Sequence, residues 1–393
     1  MSEWKTVKLK DLLSYKGYIR GPFGSALRRG EMQQSGIPVY EQEHAINEIR
    51  HFRYFIDEKK YNELKRFTVV TDDIIISCSG TVGRISVIKK NDPIGIISQA
   101  LLILRSNPDI VDVNYLKYFL RSKVGQNALL ERSNGSVQVN ICKREIIEEI
   151  PVPLPSLDTQ KNIAQILSSL DDKIELNAQI NHNLEEQAKA IFKSWFVDFE
   201  PFQNGEFIDS ELGKIPSGWK VYKLADFLPV ITGKKNANVS SEKGEYPFFS
   251  CSQDFAWTDN YSFDGHAILV AGNGDFNVKW YNGKFEAYQR TYVLMPYNAR
   301  YTSWLYYAVK YNLTSITSAA RGSVIKFITK GNLENFAFAA PIDLDNFDII
   351  DTFCSINQTI DCFTQENYRL SGVRDTLLPK LMSGELDVSE VEI

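Results

Sequence analysis

Cysteine and histidine are scarce in this chain: five and four in 393 residues. The cysteines (Cys78, Cys142, Cys251, Cys354, Cys362) are odd in number and form no C-x-x-C pair, which predicts free thiols in a reducing cytoplasm. The histidines (His44, His51, His182, His266) have no metal-ligand spacing, so no metal site is expected. No apolar run approaches the roughly 20 residues of a membrane helix, and the polar start Met1-Ser2-Glu3-Trp4-Lys5 is unlike a signal peptide. Catalytic signatures are missing too. There is no G-x-x-x-x-G-K-[ST] phosphate loop and no N-P-P-Y or D-P-P-Y run of the kind that holds a target amine for methylation. Pro108-Asp109 has no downstream E-x-K to make a nuclease centre, and no Ser/His/Asp or Cys/His set is suggested by spacing. Gly272-Asn273-Gly274 is a lone G-x-G without the rest of a dinucleotide fingerprint. These absences point to a cytoplasmic binding or adaptor protein without catalytic groups.

What is present is a repeat. Ile163, Leu167, Leu170, Ile174, Asn177, Asn181, Leu184, Ala188, Ile191 and Trp195 are spaced by alternating steps of four and three, the seam of a coiled-coil helix. Ile349, Phe353, Ile356, Ile360, Phe363, Asn367, Leu370, Arg374, Leu377 and Leu381 repeat it, each 186 residues after its counterpart. Two such helices a domain's length apart predict an internal duplication. The first should start near Ser156–Asp158 and run to about Val197, roughly 40 residues or about 60 Å. Asn at matching seam positions either fixes register or marks a widening that meets solvent. Pro379 should end or kink the second helix.

The segments between the helices match as well. Trp4-Lys5-Thr6-Val7-Lys8-Leu9 and Trp219-Lys220-Val221-Tyr222-Lys223-Leu224 each predict a short strand running into a helical turn. Polar, Gly-bearing loops follow, Ile19-Arg20-Gly21-Pro22-Phe23-Gly24-Ser25 and Ile231-Thr232-Gly233-Lys234-Lys235. Pro-anchored strands come next (Ile37–Tyr40, Tyr246–Phe249), then buried strands ending in glycine turns (Asp73–Ser77, Ala267–Ala271). Each block adds a further strand, an aromatic helix (Tyr115–Leu120, Trp304–Val309), a Gly-Ser-Val turn (Gly135–Val137, Gly322–Val324) and a closing alternating strand before Pro155 or Pro341.

The net charge of −5 conceals an alternation. Residues 1–155 carry +5, 156–217 carry −6, 218–342 carry +4 and 343–393 carry −8. Affinity for a polyanion, where present, belongs to the blocks, and the helices would repel it.

Two blocks alternating with two similar long helices resemble the specificity subunit of type I restriction–modification enzymes. The residues carrying the resemblance are the openings at Trp4 and Trp219, Gly21-Pro22-Phe23-Gly24-Ser25, Ser79-Gly80-Thr81-Val82-Gly83 and Gly272-Asn273-Gly274-Asp275-Phe276. Pro151-Val152-Pro153-Leu154-Pro155 leading to Gln160, and Lys380-Leu381-Met382-Ser383-Gly384-Glu385-Leu386, complete the match. The resemblance implies an α+β fold with a pseudo-two-fold internal repeat. Residues 1–155 would form target recognition domain 1 and 156–200 spacer helix 1. Residues 201–342 would form a linker and target recognition domain 2, and 343–393 spacer helix 2, the helices pairing as an antiparallel coiled coil. It further implies double-stranded DNA, two methyltransferase subunits and restriction (translocase) subunits as partners. S-adenosylmethionine, ATP and Mg²⁺ would be bound by those partners and none by this chain.

Arg and Lys pair bidentately with guanine and Asn and Gln with adenine, so the Gly-rich loops supply the DNA-contact candidates. In the first block these are Arg20, Ser25, Arg28, Arg29, Thr81, Arg84 and Gln99. In the second they are Lys234, Lys235, Asn236, Asn238, Asn273, Lys279, Gln289, Arg290, Arg321 and Lys326. A solvated charge or a turn cap explains any single one equally well. Two rival functions fit the same layout: a stand-alone sequence-specific DNA-binding regulator, and a protein-binding scaffold with no DNA affinity.

Overall fold

The computed structural model describes residues 4–132, 139–241, 244–318 and 327–388. The Gly-Ser-Val turns at Gly135–Val137 and Gly322–Val324 and the candidates Arg321 and Lys326 lie outside the described residues, as does the side chain of Ser25. The chain mixes helices and strands and divides into two compact units, Met1–Glu175 with Asn367–Ile393, and Leu176–Glu366.

In the first unit, Lys5–Lys8 pairs antiparallel with Pro151–Leu154, so the start and end of the globular block lie side by side. A four-stranded antiparallel sheet runs in the order Leu13–Arg20, Leu101–Ser106, Asp73–Ser77, Ile85–Val87. A three-stranded sheet holds Phe55–Ile56, Ile37–Tyr40 and Ile96–Ile97, the last two parallel. The continuous apolar run at Ile74-Ile75-Ile76 follows from burial on both faces. Ile74 and Ile76 join the cluster of Leu9, Tyr115, Leu116 and Phe119, whereas Ile75 joins Val39, Tyr40 and Ile96 on the other side. The aromatic helix Val113–Arg121 begins at Asp112, whose carboxylate accepts from the Asn114 and Tyr115 amides.

In the second unit, Trp219–Lys223 pairs with Ala337–Pro341. Its single six-stranded sheet runs Val230–Thr232, Thr291–Leu294, Phe263–Ala271, Val278–Ala287, Tyr246–Phe249, Ala256–Thr258. That order is the order of the first unit, with one difference. The ten-residue strand Val278–Ala287 stands where the first unit has two short strands, Ile85–Val87 and Ile96–Ile97. It is antiparallel to Phe263–Ala271 on one side and parallel to Tyr246–Phe249 on the other. Alternation again assigns the faces. Ile268 and Val270 pack with Trp304 and Leu305, and Ala267 and Leu269 with Phe249 and Phe285.

Leu157–Phe196 is a single 40-residue helix whose start is capped by the Ser156 hydroxyl, accepting from the Thr159 amide. Ile349–Met382 is the second, 34 residues long. In the first unit Ile163, Ala164 and Leu167 share a core with Leu381 and Met382, Asp171 meets Arg374, and Asn367 Nδ2 donates to the Ile174 carbonyl. Rising numbers on one helix meet falling numbers on the other, so the segments run in opposite directions. In the second unit Ala188, Phe192 and Phe196 pack with Ile350, Phe353 and Ile356, and the direction is again reversed. There Asn177 is buried and its Nδ2 donates to Glu366 Oε2 at 2.7 Å, while Asn181 Nδ2 donates to Thr364 Oγ1 at 3.2 Å. The seam is only half covered: Leu170, Ile174 and Leu370 are partly exposed, as are Leu184, Ile191, Ile349 and Ile360 at the edge of the second unit's core and Leu377 at the edge of the first's.

Pro379 does not end the second helix. The helix continues three residues past it, to Met382, and the Ser383 amide still bonds the Pro379 carbonyl. This near the C-terminus the ring forfeits one backbone bond while packing at Leu381 and Met382 holds the last turn. No helix among the described residues is long and apolar enough to cross a membrane.

Candidate nucleic-acid interface

Strand register decides which candidate residues meet. In the first unit Arg20 closes the strand Leu13–Arg20 opposite Leu102, and Gln99 lies just before Leu101, which pairs with Ser77. Thr81 and Arg84 occupy the turn from Ser77 to Ile85. Arg20, Thr81, Arg84 and Gln99 therefore gather at one end of the four-stranded sheet. Thr81, Arg84 and Gln99 are exposed. Gly21 makes the closeness possible, because a Cβ there would stand 1.9 Å from the Ser98 carbonyl oxygen. The Arg20 guanidinium lies 5.9 Å from the ring of Phe23, which is 67% exposed. Behind it, burial pushes the Cys78 thiol up to about 12 despite the neighbouring Arg20, so that sulfur stays neutral. Arg28 and Arg29 are exposed but sit farther along the loop, at a short helical turn where the Glu31 carboxylate accepts from the Arg28 amide.

The second unit builds the same end of the same sheet. Lys234 and Lys235 follow Thr232, which pairs with Tyr292; Gln289 and Arg290 precede Thr291, which pairs with Ala271; Asn273 follows that strand. Gly233 is the counterpart of Gly21, with its would-be Cβ 2.2 Å from the Ala287 carbonyl oxygen. Lys234, Lys235, Gln289 and Arg290 are exposed, and their side chains have no hydrogen-bond or ion-pair partner among the described residues. Asn236 and Asn238 are exposed in the next helical turn. Lys279 behaves differently. Its ammonium donates to the Ser252 carbonyl at 2.6 Å and to Asn277, and burial lowers its pKa. It staples the Cys251–Ser252 loop to the sheet from inside.

Residues outside the sequence candidates complete this end. Thr232, Gly272, Tyr292, Phe327 and Ile328 join Asn273, Gln289 and Arg290 around an open cavity of about 460 Å³. Tyr292 is the outward member of an alternating strand and its hydroxyl donates to the Ile328 carbonyl at 2.8 Å, whereas Phe327 pairs with Asn273 across an isolated bridge. Alternation could have flagged Tyr292; nothing in the sequence flags Phe327. In the first unit a second cavity, about 380 Å³, is lined by Glu48, Arg84, Tyr118, Arg121, Gln126 and Arg374. Its other cations are already committed, Arg121 to Glu48 and Asp171 and Arg374 to Asp171 and Asp375, leaving Arg84 as the free one among the described residues. No cluster of three or more His, Cys, Asp or Glu among the described residues could hold a metal ion.

Exposed cations and amides gathered at one sheet end suit a phosphate backbone and base edges. Residues 1–186 and 216–370 match the model of the type I restriction modification DNA specificity domain. The chain belongs to that family. It is a specificity subunit of a type I restriction–modification system. Among its relatives, the EcoDI specificity subunit of Escherichia coli is 37% identical over 178 residues, covering 44% of this chain and 40% of that one. The MjaIX specificity subunit of Methanocaldococcus jannaschii is 26% identical over 428 aligned positions, spanning 99% of this chain and 95% of its own. The crystal structure of the S subunit from M. genitalium shares the fold of this specificity subunit, with a TM-score of 0.59 at 17% identity over 96% of each chain.

Proposed function

We propose that this specificity subunit reads a bipartite, asymmetric DNA site, one half by each globular block, and does no chemistry itself. The observation supporting this most is the paired sheet ends: each unit places unpartnered basic and amide side chains at the same end of a sheet of the same strand order. On this reading residues 1–155 and 201–342 are tandem copies of one recognition domain. The two long helices form an antiparallel coiled coil that fixes the gap between half-sites and docks two methyltransferase subunits, with restriction subunits joining that core. S-adenosylmethionine, ATP and Mg²⁺ are then used by those subunits. The acidic balance of the helical segments keeps them facing protein or water rather than phosphate.

Co-expression with the cognate methyltransferase, followed by mapping of methylated adenines, tests the reading. The expected outcome is a single split sequence with an unread gap; methylation without regard to base order would end it. A chain that binds its site tightly when purified alone would favour an independent regulator instead. The exposed lysines give a second test. Lys234→Ala with Lys235→Ala should weaken binding of the assembled complex alike on cognate and non-cognate DNA. It should also lower the slope of log K against log salt by about 2, near one per phosphate contact. An unchanged salt slope would remove these lysines from the interface.

A further inference from the structure

The geometry points to a guanine, read through its O6 and N7 by Arg290 and Asn273, as one fixed base of the half-site taken by the second unit; this rests on the DNA-reading function proposed above. The hydrogen-bonding groups left free at the cavity decide the base. Adenine's major-groove edge offers an acceptor and a donor, so its reader must supply both a donor and an acceptor. Guanine offers two acceptors, and its reader needs donors alone. Asn273 Oδ1 already accepts one hydrogen bond, from the Cys251 thiol at 3.1 Å, with the Arg290 carbonyl 3.5 Å from the same sulfur, so Nδ2 is the amide group left without a partner among the described residues. Arg290 has only donors, is exposed, and its guanidinium has no partner among the described residues. Both line the same cavity.

The backbone beneath them is fixed. The Gly272 amide donates to the Arg290 carbonyl at 2.9 Å, so the two reading residues ride on directly bonded strand ends. The loop holding Cys251 is tied down in turn, since Asn277 Nδ2 donates to the Cys251 carbonyl at 3.0 Å and Lys279 to the Ser252 carbonyl at 2.6 Å. Gln289 next door keeps a free amide with both donor and acceptor, so it does not share this constraint.

The test is methylome mapping with the complete methyltransferase complex, comparing wild type with Arg290→Ala, Arg290→Lys and Asn273→Ala. Wild type should require guanine at one position of the half-site assigned to the second unit. Arg290→Ala should relax that position alone, about 10- to 100-fold in preference, with Arg290→Lys intermediate because it loses the two-donor fork. Asn273→Ala should relax the same position, and 7-deazaguanine there should weaken wild-type methylation while leaving Arg290→Ala little affected. Sequence-specific methylation that Arg290→Ala leaves unchanged would overturn the guanine assignment while the DNA-reading function stands. So would a half-site with no required G·C pair. Wild-type methylation without sequence preference would instead bring down the function beneath it. Arg290 is exposed, so its variants should melt with wild type, and a complex that methylates its first half-site normally shows that they fold.

Discussion

Trp304→Ala is expected to cost about 3–5 kcal/mol, the range for deleting a buried tryptophan and leaving its cavity. The side chain is 0% exposed and sits at the centre of the second unit's aromatic core. Ring centroids of Phe227, Phe196 and Phe338, each from a different part of the chain, lie 5.5, 5.6 and 5.6 Å away. For a unit of this size, such a loss lowers the midpoint of thermal unfolding by roughly 10 °C. Trp304→Phe should behave quite differently. The buried indole Nε1–H has no hydrogen-bond partner among the described residues, so the smaller ring removes a desolvated donor as well as some packing. Its cost should be less than half that of the alanine variant. Chemical denaturation of both variants checks the pair; an alanine variant within 1 kcal/mol of wild type would show that the core collapses around the gap.

The sequence exposed the elements whose burial is one-sided or continuous. Ile74-Ile75-Ile76 is legible because both faces are covered, and the openings at Trp4 and Trp219 because the strand–turn pattern occurs twice. Val278–Ala287 was not singled out, since Lys279, Asn282, Gly283 and Lys284 break any apolar pattern. Pairing on both sides makes it the longest strand among the described residues all the same, and packing overrides weak local preference. At Pro379 the local penalty is real, but the anchoring of Leu381 and Met382 carries the helix three residues past it. At the interface the sequence supplied the residue types but not their orientation. Lys279 and Arg290 look alike as basic residues near glycine. Only the fold turns one ammonium inward onto Ser252 and leaves the other cation free. Phe327 reaches the site through a single bridge, a contact that no periodicity encodes.

The largest electrostatic effect is expected at Asp171, where the two halves of the repeat part company. In the first unit its Oδ1 accepts from Arg374 at 2.8 Å and its Oδ2 from the Tyr118 hydroxyl at 2.7 Å. The positions 186 residues from Asp171 and Arg374 are neutral: Asn357 accepts from the Tyr307 hydroxyl at 2.9 Å, and Ala188 stands where the second helix has Arg374. Burial raises the Asp171 pKa, but Arg374 and Tyr118 outweigh it, so the carboxyl is held below its ordinary value. A depressed folded pKa contributes stability that is present above the unfolded value, near 3.9, and is lost as pH falls through the folded one. Asp171→Asn should therefore cost about 2 kcal/mol at pH 7, because half-buried Arg374 loses one of its two carboxylates and keeps only the more exposed Asp375. The gap from wild type should shrink as pH falls below about 4. Adding Arg374→Ala should recover much of the loss, since the pair then becomes the Asn and Ala that the second unit already uses. A double-mutant cycle followed by denaturation from pH 7 to pH 3 measures all three quantities. A double variant no more stable than Asp171→Asn, or a loss that does not change with pH, would show that the carboxylate acts through its shape and not its charge.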